Sequence, residues 1–204
     1  MKTVEKAKSF VILLIFIGCN TTGDKRDDTI HQSKESGSVK SFYLGNFIGR
    51  ANPKNYSGYF DRIDDIPHEV ITIKSLRGIE NDYATIFQSA KAITSLGKRV
   101  QLTGYIKTSD VMGYAGLWMR VDPANYQSEN QALAFDNMYN RPIIGTTDWK
   151  KYSVVLDIPR DAERIVFGAL LYNSGQVWID SLNIRIVDTS ISTTDIIKTK
   201  ELTL

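Results

Sequence analysis

The residues best suited to chemistry fall between positions 114 and 149, in the runs YAGLWMRVD, ALAFDNM and RPIIGTTDW. Leu117, Met119 and Val121 alternate with Trp118, Arg120 and Asp122, so a strand here would send the first three to a core and the others to the opposite face. On a neighbouring strand Asp136 is expected to share that second face, with Ala132 and Ala134. Small residues beside Trp118 and Arg120 would then leave a hollow with an aromatic wall. Asn137 and Arg141 follow closely. An aromatic ring suits the C–H face of a pyranose, and Arg, Asp and Asn suit its hydroxyls. The candidate ligand-binding residues are therefore Trp118, Arg120, Asp122, Asp136, Asn137 and Arg141. The same residues also fit a structural role. Arg120 with Asp122 or Asp136 would make a partly buried ion pair, and Asn137, Arg141 and Pro142 would build a turn. Trp149 and Trp178 fit core positions of a sandwich.

No catalytic set is legible. A Ser-His-Asp arrangement needs a histidine base, and of the two histidines His31 lies in a polar leader and His68 in the loop-like Ile66-Pro67-His68. There is no Gly-x-Ser-x-Gly elbow and no phosphate-cradling glycine pattern. Zinc would need several His or Cys ligands, and Asp180 lacks the carboxylate company of a calcium site. No catalytic residue, cofactor or metal is expected, and a non-enzymatic binding role follows. A carboxylate pair for glycoside hydrolysis is the one enzymatic arrangement left open.

The elements that must position these residues are strands. From 39 to 187 the period is two, in short runs separated by Gly, Pro, Asn and Asp. Val100, Leu102, Gly104 and Ile106 alternate with polar neighbours, as do Tyr152, Val154, Leu156 and Ile158. Further strands are expected over 42–48, 69–76, 83–90, 131–137, 164–172 and 177–187. Many short strands with turn signals and no long helical stretch predict an all-β sandwich or barrel. In the last strand Val177 and Ile179 have one parity and Leu182, Ile184 and Ile186 the other. A one-residue bulge near Asp180 and Ser181 would keep all five inward.

The chain's beginning carries a different signal. Lys2, Lys6 and Lys8 precede the apolar run 10–17, then Gly18 and Cys19, the single cysteine of the 204 residues. A charged start, a short apolar stretch and a small residue before the cut make a secretory signal. Eight apolar residues are too few for a spanning helix, which needs about 20. The next 19 residues, 20–38, are polar and rich in Ser, Thr and charge, the composition of a flexible tether. The formal net charge of +2 is confined to the first 18 residues, which hold three lysines and Glu5; the remainder balances to zero. No basic footprint for nucleic acid remains.

Two resemblances carry these readings further. Phe16-Ile17-Gly18-Cys19 resembles the lipobox of bacterial lipoproteins, with Phe16 where leucine is usual. The resemblance implies cleavage before Cys19, lipidation of its thiol, and anchoring to a membrane on the extracytoplasmic side of the cell envelope. The runs YATIFQSAKA, GKRVQLTGYIKTSD, AGLWMRVD, LAFDNM, RPIIGTTDWKKYSVVLDIP and IVFGALLYNSGQVWIDSLNIRIV resemble galactose-binding-like, carbohydrate-binding-module-like jelly rolls. That implies a jelly-roll β-sandwich over most of the chain and a carbohydrate or similar polar ligand as partner, with no ligand residues to carry over. The expected organisation is a signal over 1–18, a lipidated cysteine and tether over 19–38, a jelly roll over 39–187 and a tail over 188–204, which either packs or frays. The alternative role is a structural or protein-interaction lipoprotein without a small-molecule site.

Overall fold

The computed structural model describes residues 40–197, apart from 45, 64 and 65. Cys19, the expected signal over 1–18 and the expected tether over 20–38 lie outside the described residues. Among the described residues ten strands follow in order: β1 (Lys40–Leu44), β2 (Phe47–Ala51), β3 (Tyr56–Asp61), β4 (Val70–Ser75), β5 (Tyr83–Lys91), β6 (Arg99–Pro123), β7 (Ala134–Asp136), β8 (Ile143–Asp157), β9 (Ala162–Tyr172) and β10 (Gln176–Val187). The fold is an all-β jelly-roll sandwich, and every pairing is antiparallel.

The strands join in one continuous sheet that folds over on itself as a nearly closed sandwich, and its two layers, the first and second sheets, share the 25-residue β6. Its first half lies between β10 and β8, with β4 and β3 beyond β10. Its second half pairs with β9 on one side and β7 on the other, with β5, β2 and β1 beyond β9. The alternating runs 100–106 and 117–122, read separately from the sequence, are parts of this one strand. The structure places an irregularity in the β6–β8 pairing between Thr108 and Val111, with Asp110 at φ 53°. One residue of slip changes the inward parity. Val100, Leu102 and Ile106 are buried before it, and Val111, Ala115, Leu117, Met119 and Val121 after it.

The expected bulge in β10 is present. Its pairing with β6 shifts between Asp180 and Asn183, Ser181 sits at φ 52°, and Leu182, Ile184 and Ile186 pack against the core beside buried Val177 and Ile179. The core fills the space between the sheets with Ile73, Ile86, Leu102, Ile106, Leu117, Met119, Leu156 and Leu171, all fully buried. Each such side chain contributes about 1.5–3 kcal/mol relative to exposure. Trp149 and Trp178 are not core residues. Trp178 has outward parity between Val177 and Ile179, and its indole N–H donates to Asp61 Oδ2 at 3.2 Å.

Two expectations about boundaries change. The expected strand over 42–48 is a hairpin of β1 and β2, and the expected strand over 131–137 shortens to β7. The tail packs as far as it is described. Thr194 exchanges hydrogen bonds with Val155, Arg99 donates to the carbonyls of Thr189 and Ile191, and buried Asp195 accepts from the Phe135 amide at 3.3 Å.

Candidate functional site

The outer face of the second sheet is a lattice of cross-strand rows. Tyr83, Tyr172 and Tyr114 stand in one row across β5, β9 and β6. The next row is Arg50, Thr85, Leu170 and Gly116, running from β2 to β6. A third holds Phe87, Gly168 and Trp118, and a fourth Val166, Arg120 and Phe135. The period of two sends all of these away from the core, because their neighbours Ala84, Ile86, Ala169, Leu171, Leu117 and Met119 are buried in it.

Glycine lets the strands of this face approach closely. Gly168 lies between Phe87 and Trp118, and a Cβ there would stand 1.8 Å from the Ile86 carbonyl oxygen. Gly116 is pressed by the Asn137–Met138 backbone and side chain. On this face opens a cleft of about 390 Å3 lined by Arg50, Tyr83, Thr85, Phe87, Tyr114, Trp118, Arg120, Phe135, Asn137, Val166, Leu170 and Tyr172. This is within the range of small-ligand sites, and half of the lining residues are aromatic.

The rings are held in place. Trp118 is half-buried, its indole N–H donates to Thr85 Oγ1 at 2.8 Å, and its ring lies 6.0 Å from Phe87. Thr85 in turn donates to the Ala169 carbonyl at 2.9 Å. Tyr114 packs 5.6 Å from Tyr172 and edge-on at 6.1 Å from Tyr139. Burial, then Tyr172 and Tyr139, raise the Tyr114 phenol above its ordinary 10.0, so it stays neutral near pH 7. Its oxygen accepts from Asn137 Nδ2 at 3.1 Å.

The charged candidates separate. Arg120 lies at the cleft, with its guanidinium 4.4 Å from the Tyr126 ring centre. Asp122 has the expected parity but no exposure, because Arg120 and Arg164 close over it with Nε and Nη2 at 2.7 and 3.3 Å, and 3.2 and 2.9 Å. It holds an arginine rather than a ligand. Asp136 departs from expectation. It shares a face with Ala134 as read, but Asp136 pairs with Met119, which points into the core. Asp136 is fully buried and accepts two hydrogen bonds from Arg141 and one from the Met138 amide. Arg141 also donates to the Ser153 carbonyl, so Asp136 and Arg141 form a strand-tying ion pair outside the cleft. Trp118, Arg120 and Asn137 are the candidates brought together. Sequence reading missed Arg50, Tyr83, Thr85, Phe87, Tyr114, Phe135, Val166, Leu170 and Tyr172. Tyr83, Thr85 and Phe87 lie in the expected strand 83–90, and Val166, Leu170 and Tyr172 in 164–172, but Arg50 lies beyond the expected strand 42–48, Phe135 takes the face expected for Asp136, and the adjacency of β2, β5, β9 and β6 was not legible.

Among the described residues the cleft is lined by no carboxylate and no histidine. Among them also, no three His, Cys, Asp or Glu side chains converge as metal ligands, and no helix is long and apolar enough to cross a membrane. His68, the histidine within the domain, is exposed and 3.0 Å from Asp180 at the β10 bulge.

No known family model matches the chain. Over 115 residues it is 46% identical to an uncharacterized HTH-type transcriptional regulator, YbfP, of Bacillus subtilis strain 168. The match takes in 56% of this chain and 38% of the relative, so the chain spans well under half of that protein. Among solved structures, a Clostridium thermocellum xylanase CBM22-1–GH10 module pair complexed with xylohexaose aligns at TM-score 0.48 and 11% identity, covering 72% of this chain and 27% of that one. A putative sugar binding protein from Bacteroides thetaiotaomicron aligns at 0.46 and 13%, covering 66% and 84%. TmCBM61 in complex with β-1,4-galactotriose aligns at 0.44 and 8%, covering 70% and 90%. At these scores and identities nothing about a ligand transfers.

Proposed function

We propose that this chain is a non-catalytic binding protein that takes a carbohydrate in the cleft on the outer face of its second sheet. The observation that carries the proposal is the lining. Six aromatic rings line the hollow, with Thr85, Asn137, Arg50 and Arg120 as polar groups. Rings cover the apolar faces of sugars, and a few fixed polar groups set orientation. The relative named as a transcriptional regulator fits a recognition role for the shared segment. Its 115 residues exceed the part of this chain outside the β-domain, so most of the shared segment is sandwich.

A glycan array followed by calorimetry tests the reading. Trp118→Ala is expected to weaken a bound glycan about tenfold or more, as loss of one stacked aromatic does. Absence of binding to any glycan, or unchanged affinity in that variant, refutes it.

The proposed location is the extracytoplasmic side of a bacterial membrane, with the domain held by lipid on Cys19. Support comes from Lys2, Lys6 and Lys8, the short apolar run and Phe16-Ile17-Gly18 before the sole cysteine. Cys19→Ser should move the protein from the membrane fraction to the soluble one; identical fractionation rejects the anchor. A protein-interaction role in the envelope is the second reading. It is favoured by Met112 and Ile144, 80% and 58% exposed at neighbouring points of β6 and β8.

A further inference from the structure

The charges around the cleft are unbalanced. Its lining holds two arginines and, among the described residues, no carboxylate. Arg120 has a counter-ion in Asp122, but that single carboxylate is shared with Arg164, so the trio keeps one positive charge in surplus. Arg50 stands on β2 opposite Thr85, exposed, and among the described residues no carboxylate pairs with it. The face therefore presents about two uncompensated positive charges above aromatic rings, in a chain whose remainder beyond residue 18 is neutral overall.

The dimensions set the size of what fits. Tyr83 and Phe87 are four residues apart on β5, about 13–14 Å along the strand. Arg50 and Gly116 are three strands apart, about 14 Å across. Such a floor is longer than one sugar ring in both directions and suits a short oligosaccharide. A guanidinium is a planar fork that meets a carboxylate with two parallel hydrogen bonds, a geometry no hydroxyl reproduces.

We infer that the cleft selects acidic oligosaccharides bearing carboxylates, of the uronic-acid class, with Arg50 as the residue that decides for the charge. The inference rests on the carbohydrate reading and makes it narrower. The aromatic rows provide contact area for any sugar. Arg50, with the surplus of the Arg120–Asp122–Arg164 trio behind it, distinguishes the charged sugar from its neutral counterpart.

The test is calorimetric titration of the full chain with trigalacturonic acid and with its fully methyl-esterified form, which keeps the sugars and removes the charge. The acid should bind about ten- to a hundredfold tighter, the range of hydrogen bonds to charged groups. Raising salt from about 0.05 to 0.5 M should shrink that lead, because the charges are partly open to solvent. Arg50→Gln should reduce affinity for the acid about tenfold, while its melting temperature stays near that of the parent because the side chain is exposed. Equal or tighter binding of the ester overturns the inference and leaves the carbohydrate reading standing, as does an unchanged affinity of Arg50→Gln for the acid. Failure to bind the acid at all also overturns it, and the glycan array then decides the carbohydrate reading separately.

Discussion

Asp122 offers the sharpest test of how the outer face is held. Asp122→Asn removes one charge from a site with no exposure and leaves two guanidiniums facing an amide. Four N–H···O contacts, between 2.7 and 3.3 Å, converge on its two oxygens. Breaking a buried ion pair by removing one partner costs about 3–5 kcal/mol. Two features reduce that figure. The arginine side chains are 19% and 46% exposed, so water replaces part of what they lose, and asparagine keeps one carbonyl oxygen. The expected loss is about 2 kcal/mol, which lowers Tm by about 4–8 °C in a domain of this size. Thermal and urea unfolding of the variant measure it. Arg164→Gln alone should cost about 1 kcal/mol or less, since its side chain is nearly half open to solvent. Because both act on one carboxylate, the double variant should be less destabilised than the sum of the two. A Tm for Asp122→Asn within a degree of the parent, or strict additivity in the double variant, would refute the reasoning.

Other outcomes follow from packing and hydrogen bonding elsewhere. Gly168→Ala places a methyl 1.8 Å from the Ile86 carbonyl oxygen, so β9 must part from β5; a loss of about 3 kcal/mol is expected in urea unfolding, and a parental midpoint would show that the strands yield freely. The Tyr56 hydroxyl lies 2.7 and 3.0 Å from the carbonyl oxygens of Asp82 and Asn173, and burial, followed by Asp82, raises its pKa well above 10.0. The raised value means that the fold favours the neutral phenol, so its stabilisation is complete below pH 10 and is lost as pH climbs through the folded pKa. Alkaline melts should therefore decline above pH 10, with a shallower slope in Tyr56→Phe; equal slopes would count against this. Asp195→Ala leaves the Phe135 and Ile197 amides without their carboxylate and should cost about 1–2 kcal/mol, with earlier proteolysis of the tail by limited digestion.

How far the sequence reveals this molecule depends on the range of the interaction. Period two within a strand is local, so the inward set Leu117, Met119 and Val121 and the outward set Trp118, Arg120 and Asp122 are both legible, as is the slip at Asp180. Asp110 is harder, because a bulge and a turn draw on the same residue types, and so β6 reads as two strands. Register between strands is not local at all. Asp136 shares a face with Ala134 as expected, but only its pairing with Met119 reveals that this face is the core. The cleft is the extreme case. Its lining joins Trp118 to Tyr172, 54 positions further on, and comes from strands brought together by the order β2-β5-β9-β6.

Because β6 serves both sheets, neither sheet can be completed early. Its neighbours arrive from far along the chain: Trp118 must meet Gly168, Ile106 must meet Ile179, and Tyr83 must meet Tyr172. Contacts over such separations close loops at an entropic cost before any packing rewards them, and folding of this kind runs on milliseconds to seconds. The same delay keeps the chain threadable. For a protein carrying the export signal proposed here, a sandwich that cannot close until β10 has emerged remains linear enough to pass a membrane before it becomes a body too wide to do so.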